Sequence, residues 1–310
     1  MKSWDNESVV VTGAAGFLGS HLCQTLASNG ARVVALDNVE TGSSANLESL
    51  NGGIQIISCD ITKKDDLQSY IRDSQTVFHL AAIASPRACK ANFDLAFDVN
   101  VVGTKNILSA CENGQRVIFM SSASVYGEPA YVPIDEDHPL DGKDPYAATK
   151  IMAENLCRNY YQSYGVSVII VRNFNAFGPR QSPEYIVPTL ITQALNDNRI
   201  EIWSVKPTRD LMYVDNTIEA LLRIARSEEL VGKVVNVGSG EEIQIGVLAE
   251  KVAQICGGVP LVDLNKDVIG SPRLVCDNAK LKETTGWKIT VAFEEGLQRT
   301  TDWFRKHYTG

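Results

Sequence analysis

The sequence has little with which to build a metal site or a disulfide framework. Its seven cysteines, at positions 23, 59, 89, 111, 157, 256 and 276, include no CxxC pair, and the four histidines, His21, His79, His138 and His307, are scattered. Neither set has the spacing of a zinc site or a disulfide scaffold. The thiols read as buried free cysteines of a reducing compartment. No apolar run approaches the roughly 18 residues needed to cross a bilayer, and the opening stretch MKSWDNESVVVTG lacks the apolar segment and cleavage site of a signal peptide. The expectation is a cytoplasmic protein without membrane contact. A basic face is also missing: 29 Lys and Arg stand against 37 Asp and Glu, a formal net charge of -8, which argues against gripping a nucleic-acid backbone. A small anionic ligand is compatible with that charge, because a few placed cations or a helix N-terminus suffice to hold a phosphate. What the 310 residues do contain is 44% hydrophobic and 21% charged side chains, enough for one large core or two modest ones.

Short apolar runs alternate with helix-length amphipathic segments through the first half. The runs are 9–13 (VVVTG), 31–37, 54–60, 76–82, 116–123 and 166–174, and a helix pattern over 16–29 places Phe17, Leu18, His21, Leu22, Thr25 and Leu26 on one side. Continuous apolar strands separated by helices predict a doubly wound α/β fold, with a parallel Rossmann sheet covered on both faces. After Asn175 the pattern loosens, although KVVNVGSG (233–240) reads as one more buried strand. The division this suggests is a dinucleotide domain over 1–174 plus 209–240 and a second, smaller substrate domain over 175–208 plus 241–310.

The chemistry begins directly after the first strand. Gly13, Gly16 and Gly19 form a GxxGxxG turn that opens a helix with Phe17 and Leu18, so backbone N–H groups can approach a pyrophosphate closely. A bare tight turn needs glycine as well, but this one lies between strand and helix, where a dinucleotide site requires it. Asp37 ends the second strand about 20 residues on, where a carboxylate accepts both adenosine ribose hydroxyls and repels a 2′-phosphate, favouring NAD over NADP. Asp60 and the LAA segment Leu80, Ala81 and Ala82 fall at the same carboxyl edge.

Tyr146 and Lys150 stand four residues apart after Pro145, on one face of a predicted helix. An ammonium beside a phenol favours the phenolate, so the pair is expected to have a lowered phenol pKa and to act as an acid/base unit. Ser121, Ser122 and Ser124 follow the fifth strand at the glycine turn's edge, where strand-end turn chemistry competes with a role in binding a substrate oxygen.

In these segments, and in NVVGTKNIL (100–108), SSASVYGE, RNFNAFGPRQ, RDLMYVDN and the closing NAKLKETTGW, the chain resembles the nucleotide-sugar epimerase/dehydratase family of extended short-chain dehydrogenase/reductases, in particular its UDP-hexose and UDP-N-acetylhexosamine 4-epimerases. The resemblance implies Ser122, Tyr146 and Lys150 as catalytic residues. It implies NAD held also by Asn38, Ile61, Asn100, Ser121 and Asn173, and a UDP-sugar contacted by Ser124, Asn175, Val187, Arg209 and Arg273. In the implied reaction Tyr146 takes the proton of O4 with Ser122 bridging, hydride passes to NAD and returns to the opposite face of a rotated 4-keto sugar, and Lys150 holds the nicotinamide ribose. Departures from the family sort its branches. Dehydratases carry Asp-Glu where this chain has Ala123-Ser124, decarboxylases keep a glutamate at Ser124, and uronate epimerases place an arginine where Ser182 lies, for which Arg87 is the substitute at hand. Leu274 falls where bulk favours glucose over N-acetylglucosamine. The resemblance further implies a homodimer through the helices carrying Val101, Thr104, Ile107, Leu108 and Cys111, and Ile151, Leu156, Tyr160 and Tyr164, stripes that also suit a monomer core. A 4-keto-sugar reductase and a non-catalytic dinucleotide-binding protein remain as rival readings.

Overall fold

A computed structural model describes residues 4–50, 53–267 and 272–308. In chain order the first half consists of β1 (Ser8–Thr12), α1 (Phe17–Ser28), β2 (Arg32–Asp37), α2 (Ser44–Glu48), β3 (Gln55–Ser58), α3 (Lys64–Arg72) and β4 (Thr76–His79). There follow α4 (Pro86–Ala91), α5 (Phe93–Phe97), a π-helical stretch over Asp98–Gly103 that runs into α6 (Thr104–Ala110), β5 (Arg116–Ser122), α7 (Pro145–Tyr164) and β6 (Ser167–Asn173). The second half adds β7 (Asn175–Phe177), α8 (Ile186–Asn196), β8 (Ile200–Ile202), β9 (Thr208–Arg209), β10 (Leu211–Tyr213), α9 (Val214–Ala225) and β11 (Val234–Val237). It ends in β12 (Ile243–Gln244), α10 (Ile245–Ile255), β13 (Leu261–Asp263), α11 (Ala279–Thr285) and α12 (Phe293–Tyr308).

Seven strands form one parallel sheet in the order β11-β6-β5-β4-β1-β2-β3, the doubly wound topology expected. The order reverses between β1 and β4, and open sheets of this kind take ligands at the carboxyl ends beside that reversal. Val9, Val10 and Val11 are fully buried because helices cover both faces, so β1 reads as an unbroken apolar run rather than an alternating one. The edge strand β3 departs from that expectation: Ile56, on the last strand of the sheet, is 44% exposed.

Three two-stranded ladders pair β7 with β10, β9 with β12, and β8 with β13. The first joins segments on opposite sides of the expected domain division, β9 itself straddles that division, and one apolar core runs from β1 through α8, α9, α10 and α12. The stripe expected at a dimer interface divides: its residues before Cys111 are buried, whereas on α7 Ile151, Leu156 and Tyr160 are half-buried and Tyr164 is 62% exposed. Val101, Thr104, Ile107 and Leu108 are at most 8% exposed, with Ile107 and Leu108 packed beside the sheet residues Val77, Val117 and Phe119. These positions are monomer core, as their spacing also allowed.

Candidate active site

The glycine turn is built so that no side chain fits. Gly13 has φ +74°, and a Cβ there would sit 2.7 Å from the Ala81 backbone nitrogen, while a Cβ on Gly19 would run into the Gly13 carbonyl. Chain and helix are thus drawn together until the first turn of α1, with Phe17 and Leu18, opens onto the switch point between β1 and β4. A backbone turn packed this closely at the head of α1, with its N–H groups at the helix N-terminus, fits the pyrophosphate of a dinucleotide.

Asp37 stands at the end of β2, as expected, but its carboxylate is already partly engaged. Oδ2 accepts from Ala15 N at 2.8 Å and Oδ1 from Val39 N at 2.7 Å, so it braces the turn while keeping lone pairs for ribose hydroxyls. Asn38 turns to Glu40, and Asp60 accepts from Thr62 N and Oγ1, beside a buried Ile61. Leu80, Ala81 and Ala82 continue β4 at this edge, half-buried, and Ala81 N donates to Thr12 Oγ1.

α7 is launched by Asp144, whose side chain accepts from Ala147 N, with Pro145 in the first turn, and it ends on Gly165 at φ 70°. This start sets Tyr146 and Lys150 one turn apart against the end of β5. Tyr146 is 8% exposed, among Ile83, Cys89 and Ala96, and hydrogen-bonds with Ser122. Ser122 Oγ in turn accepts from Ser124 N and donates to Ser124 Oγ, both at 3.1 Å. Lys150 Nζ does not meet the phenol oxygen; it donates to Met120 O at 2.8 Å and lies 6.0 Å from the Tyr146 ring centre. The expected lowering of the phenol pKa is therefore absent. Burial raises it, with the neighbouring Tyr185, Cys89 and Asp144 adding, and only Ser122 opposes. Burial also lowers the Lys150 ammonium to about 8, partly offset by Cys157, Cys89 and Glu154.

Three other expected cofactor residues have distinct placements. Ser121 is 2% exposed, and its hydroxyl donates backward to Glu154 Oε1 at 2.7 Å, so its side chain faces away from the cleft that Ser122 faces. Asn100 is 1% exposed and spends its amide on the chain: Oδ1 accepts from Ile83 N, and Nδ2 donates to Ile83 O and Thr149 Oγ1. It fixes the segment after β4 to α7. Asn173, in contrast, holds a buried Oδ1 with no partner, a place where a ligand amide or hydroxyl fits.

Asn175 Nδ2 donates to Asp210 O at 3.2 Å. Thr208 N donates to Pro272 O and Asp210 N to Leu274 O, a parallel register that sets Thr208 opposite Arg273 and Arg209 opposite Leu274, so the two arginines lie on opposite faces of this pairing. The half-buried Arg209 has its pKa lowered by burial. Arg273 is gripped by both oxygens of Glu242 at 2.7 Å each, and Thr208 Oγ1 donates to the same carboxylate. Leu274 packs beside Ala123 and Phe174. Val187 is 1% exposed within the core, so its side chain supplies packing and only its backbone faces elsewhere. Ser182 and Arg87 are both exposed. An open cavity of about 660 Å³, lined by Ser239, Cys276, Lys282 and Trp287 among others, contains none of Ser122, Tyr146 and Lys150.

Several residues around the site carried no sequence signal that was used. His79 sits between Thr12 Oγ1 (2.8 Å) and Thr104 Oγ1 (2.9 Å). Thr104 already donates to Asn100 O, so the ring donates from Nε2 and accepts at Nδ1. Burial, with the Lys150 charge, lowers its pKa to about 3, leaving it neutral. Glu154, wholly buried, accepts from Arg172 Nε and Nη2 and from Arg158 as well as from Ser121; its place four residues after Lys150, on the same helix face, was the available clue. Tyr185, at the start of α8, faces Tyr146 closely enough to raise its pKa.

Comparison with known proteins adds the following. The sequence profile of the NAD dependent epimerase/dehydratase family matches residues 9–238. A putative UDP-glucose 4-epimerase of Methanocaldococcus jannaschii is 31% identical over 96% of this chain and 99% of its own. A UDP-N-acetyl-alpha-D-glucosaminuronate decarboxylase of Bacillus cytotoxicus is 33% identical over 96% and 97%. The crystal structure of UDP-glucuronic acid 4-epimerase from Bacillus cereus, in complex with UDP-glucuronic acid and NAD, superposes with a TM-score of 0.88 at 32% identity, covering 97% of this chain and 99% of that one.

Proposed function

This chain belongs to the NAD dependent epimerase/dehydratase family, and from that premise we propose that it inverts C4 of a UDP-linked hexose, interconverting UDP-glucose and UDP-galactose through a transient 4-keto sugar. Its cofactor is NAD. Bound in the Gly13–Gly19 cradle, NAD supplies the hydride acceptor and, on the return, the donor. The chain's own residues handle the proton and the geometry. Ser122, hydrogen-bonded to Tyr146, bridges O4 to the phenol, and Tyr146 takes and returns that proton. Lys150 keeps a cation behind the phenol on a carbonyl tether. Arg209 and Arg273 hold the diphosphate while the sugar end turns.

The observation that carries this reading is the segment after Ser122. Ala123 and Ser124 sit at the end of β5 without a carboxylate, so the acid needed there to expel water or to serve a decarboxylation is missing, while the proton relay to Tyr146 is complete. Leu274, packed against the cluster that includes Ala123 and Phe174, is the bulky side chain that favours glucose over a C2 N-acetyl sugar. The exposed Ser182 offers no cation to a C6 carboxylate.

The test is incubation of the purified protein with UDP-glucose or UDP-galactose, without added NADH, followed by proton NMR. The two sugars should approach one equilibrium mixture from either side. Stoichiometric consumption of external NADH, loss of CO2, or a 6-deoxy-4-keto product would each overturn the reading.

A further inference from the structure

The loop between β7 and α8 holds a cation that the chain itself leaves unsatisfied. Arg180 has φ 68°, a left-handed conformation that L residues other than asparagine and glycine rarely hold without a functional or packing reason. Its Nη1 is buried with no hydrogen-bond partner, and no carboxylate pairs with it among the described residues. The side chain as a whole is half-buried, but a buried guanidinium nitrogen without a partner is costly, so this corner of Arg180 is complete only when an acceptor arrives.

The place of the loop says which group. Pro179 O lies 2.9 Å from His21 Nε2, one turn along α1 from Phe17. Gly178 is pressed so closely that a Cβ would lie 2.6 Å from Val214 Cγ1 and 3.4 Å from the Phe17 ring. Two residues in succession thus pin the loop to the helix whose N-terminus forms the glycine cradle. The Arg180 charge reaches His21, helping burial to hold that ring's pKa down to about 4.

We propose that Arg180 is a dinucleotide-binding residue whose guanidinium donates to the pyrophosphate in the Gly13–Gly19 cradle, so that the β7–α8 loop clamps NAD against the sheet. Backbone N–H groups hold the pyrophosphate from the sheet side and Arg180 from the other. A cofactor regenerated within each turnover has no need to leave, and such a clamp is what would retain it. The inference rests on NAD binding and not on C4 inversion, so each can fail without the other.

The test compares wild type with Arg180→Gln and Arg180→Lys by three measurements: NAD retained per chain after purification, NAD affinity of the stripped protein by calorimetry, and melting temperature without ligand. Arg180→Gln should melt no lower than wild type when stripped, because it removes an uncompensated charge. It should also bind NAD at least roughly tenfold more weakly, the scale of a lost charge-assisted bond. Arg180→Lys should fall between, and UDP affinity should stay within about twofold. NAD affinity unchanged in both variants overturns the proposal. So does a loss of UDP affinity with NAD retained, which would assign the guanidinium to the sugar nucleotide instead. A lower melting temperature in both stripped variants with NAD binding intact would make Arg180 structural, and equally overturn it.

Discussion

At the scale of single residues, the site departs from expectation in its resting charge. The spacing of Tyr146 and Lys150 was legible because a helix puts i and i+4 on one face. Where the Lys150 ammonium would point was not, because a buried lysine takes the nearest carbonyl, here Met120 O at 2.8 Å. Tyr146 is accordingly a neutral phenol in the unliganded protein. Replacing it with phenylalanine should lower epimerisation roughly 10²–10⁴-fold, the span of a lost general acid/base, with NAD content unchanged in the purified protein. The pH profile should show Lys150 directly. Its folded pKa of about 8 lies below the ordinary lysine value, so the cation is present at neutral pH and is lost as pH rises through about 8. Turnover should fall along an alkaline limb with that midpoint, and the residual activity of Lys150→Arg, charged at every pH of the assay, should lack the limb up to about pH 9.5. An unmoved limb would place the titration elsewhere.

At the scale of elements, the sequence located the strands of the main sheet and the helix after the glycine turn, because apolar runs and a glycine spacing are local signals. It did not reveal what locks those elements together. Thr12 on β1, His79 on β4, Thr104 on α6 and Asn100 on the π-helical stretch form one hydrogen-bonded chain, which continues through Thr149 into α7, and every link except the helical turn from Thr104 to Asn100 joins residues far apart in sequence. The same holds for Ser121, expected at the site from its place at the carboxyl end of β5. Strand alternation sends it to the opposite face, onto Glu154. His79 gives the lock a pH signature. Its folded pKa of about 3 lies below the unfolded value of about 6.5, so the unfolded chain binds a proton that the folded one refuses. Its contribution is whole above pH 6.5 and is lost as pH falls toward 3. His21, at about 4, acts in the same sense. Chemical denaturation between pH 7 and 5 should show stability declining as protons are taken up on unfolding. His79→Gln should flatten that slope by up to one proton, and a slope identical to wild type would mean that the ring is not held neutral.

At the scale of the whole molecule, the function proposed above asks a chain of net charge -8 to hold two anionic ligands, a task for cations placed at a few points rather than for a lowered overall acidity. Arg180 follows the two loop residues held against α1, and Arg209 and Arg273 lie on opposite faces of the pairing of 208–210 with 272–274. An acidic protein has abundant carboxylates with which to occupy such cations, and Glu242 does this to Arg273. Thr208 and Arg273 together hold the Glu242 carboxyl down to about 2, chiefly through the Arg273 hydrogen bond, so it is charged throughout the working range and competes with a diphosphate for the same guanidinium. Glu242→Gln removes the competitor without touching the sheet or the catalytic residues. Because exposed ion pairs contribute little in water, the gain is expected to be modest: UDP affinity by calorimetry should tighten by at most roughly fivefold. The improvement should be largest at low ionic strength and should fade as salt screens the released arginine. The kcat for epimerisation should stay unchanged, since Glu242 engages Arg273 and Thr208 and none of Ser122, Tyr146 and Lys150. Weaker UDP binding in the variant would mean instead that Glu242 orients Arg273 for the diphosphate, and that arginine would then depend on the acid beside it.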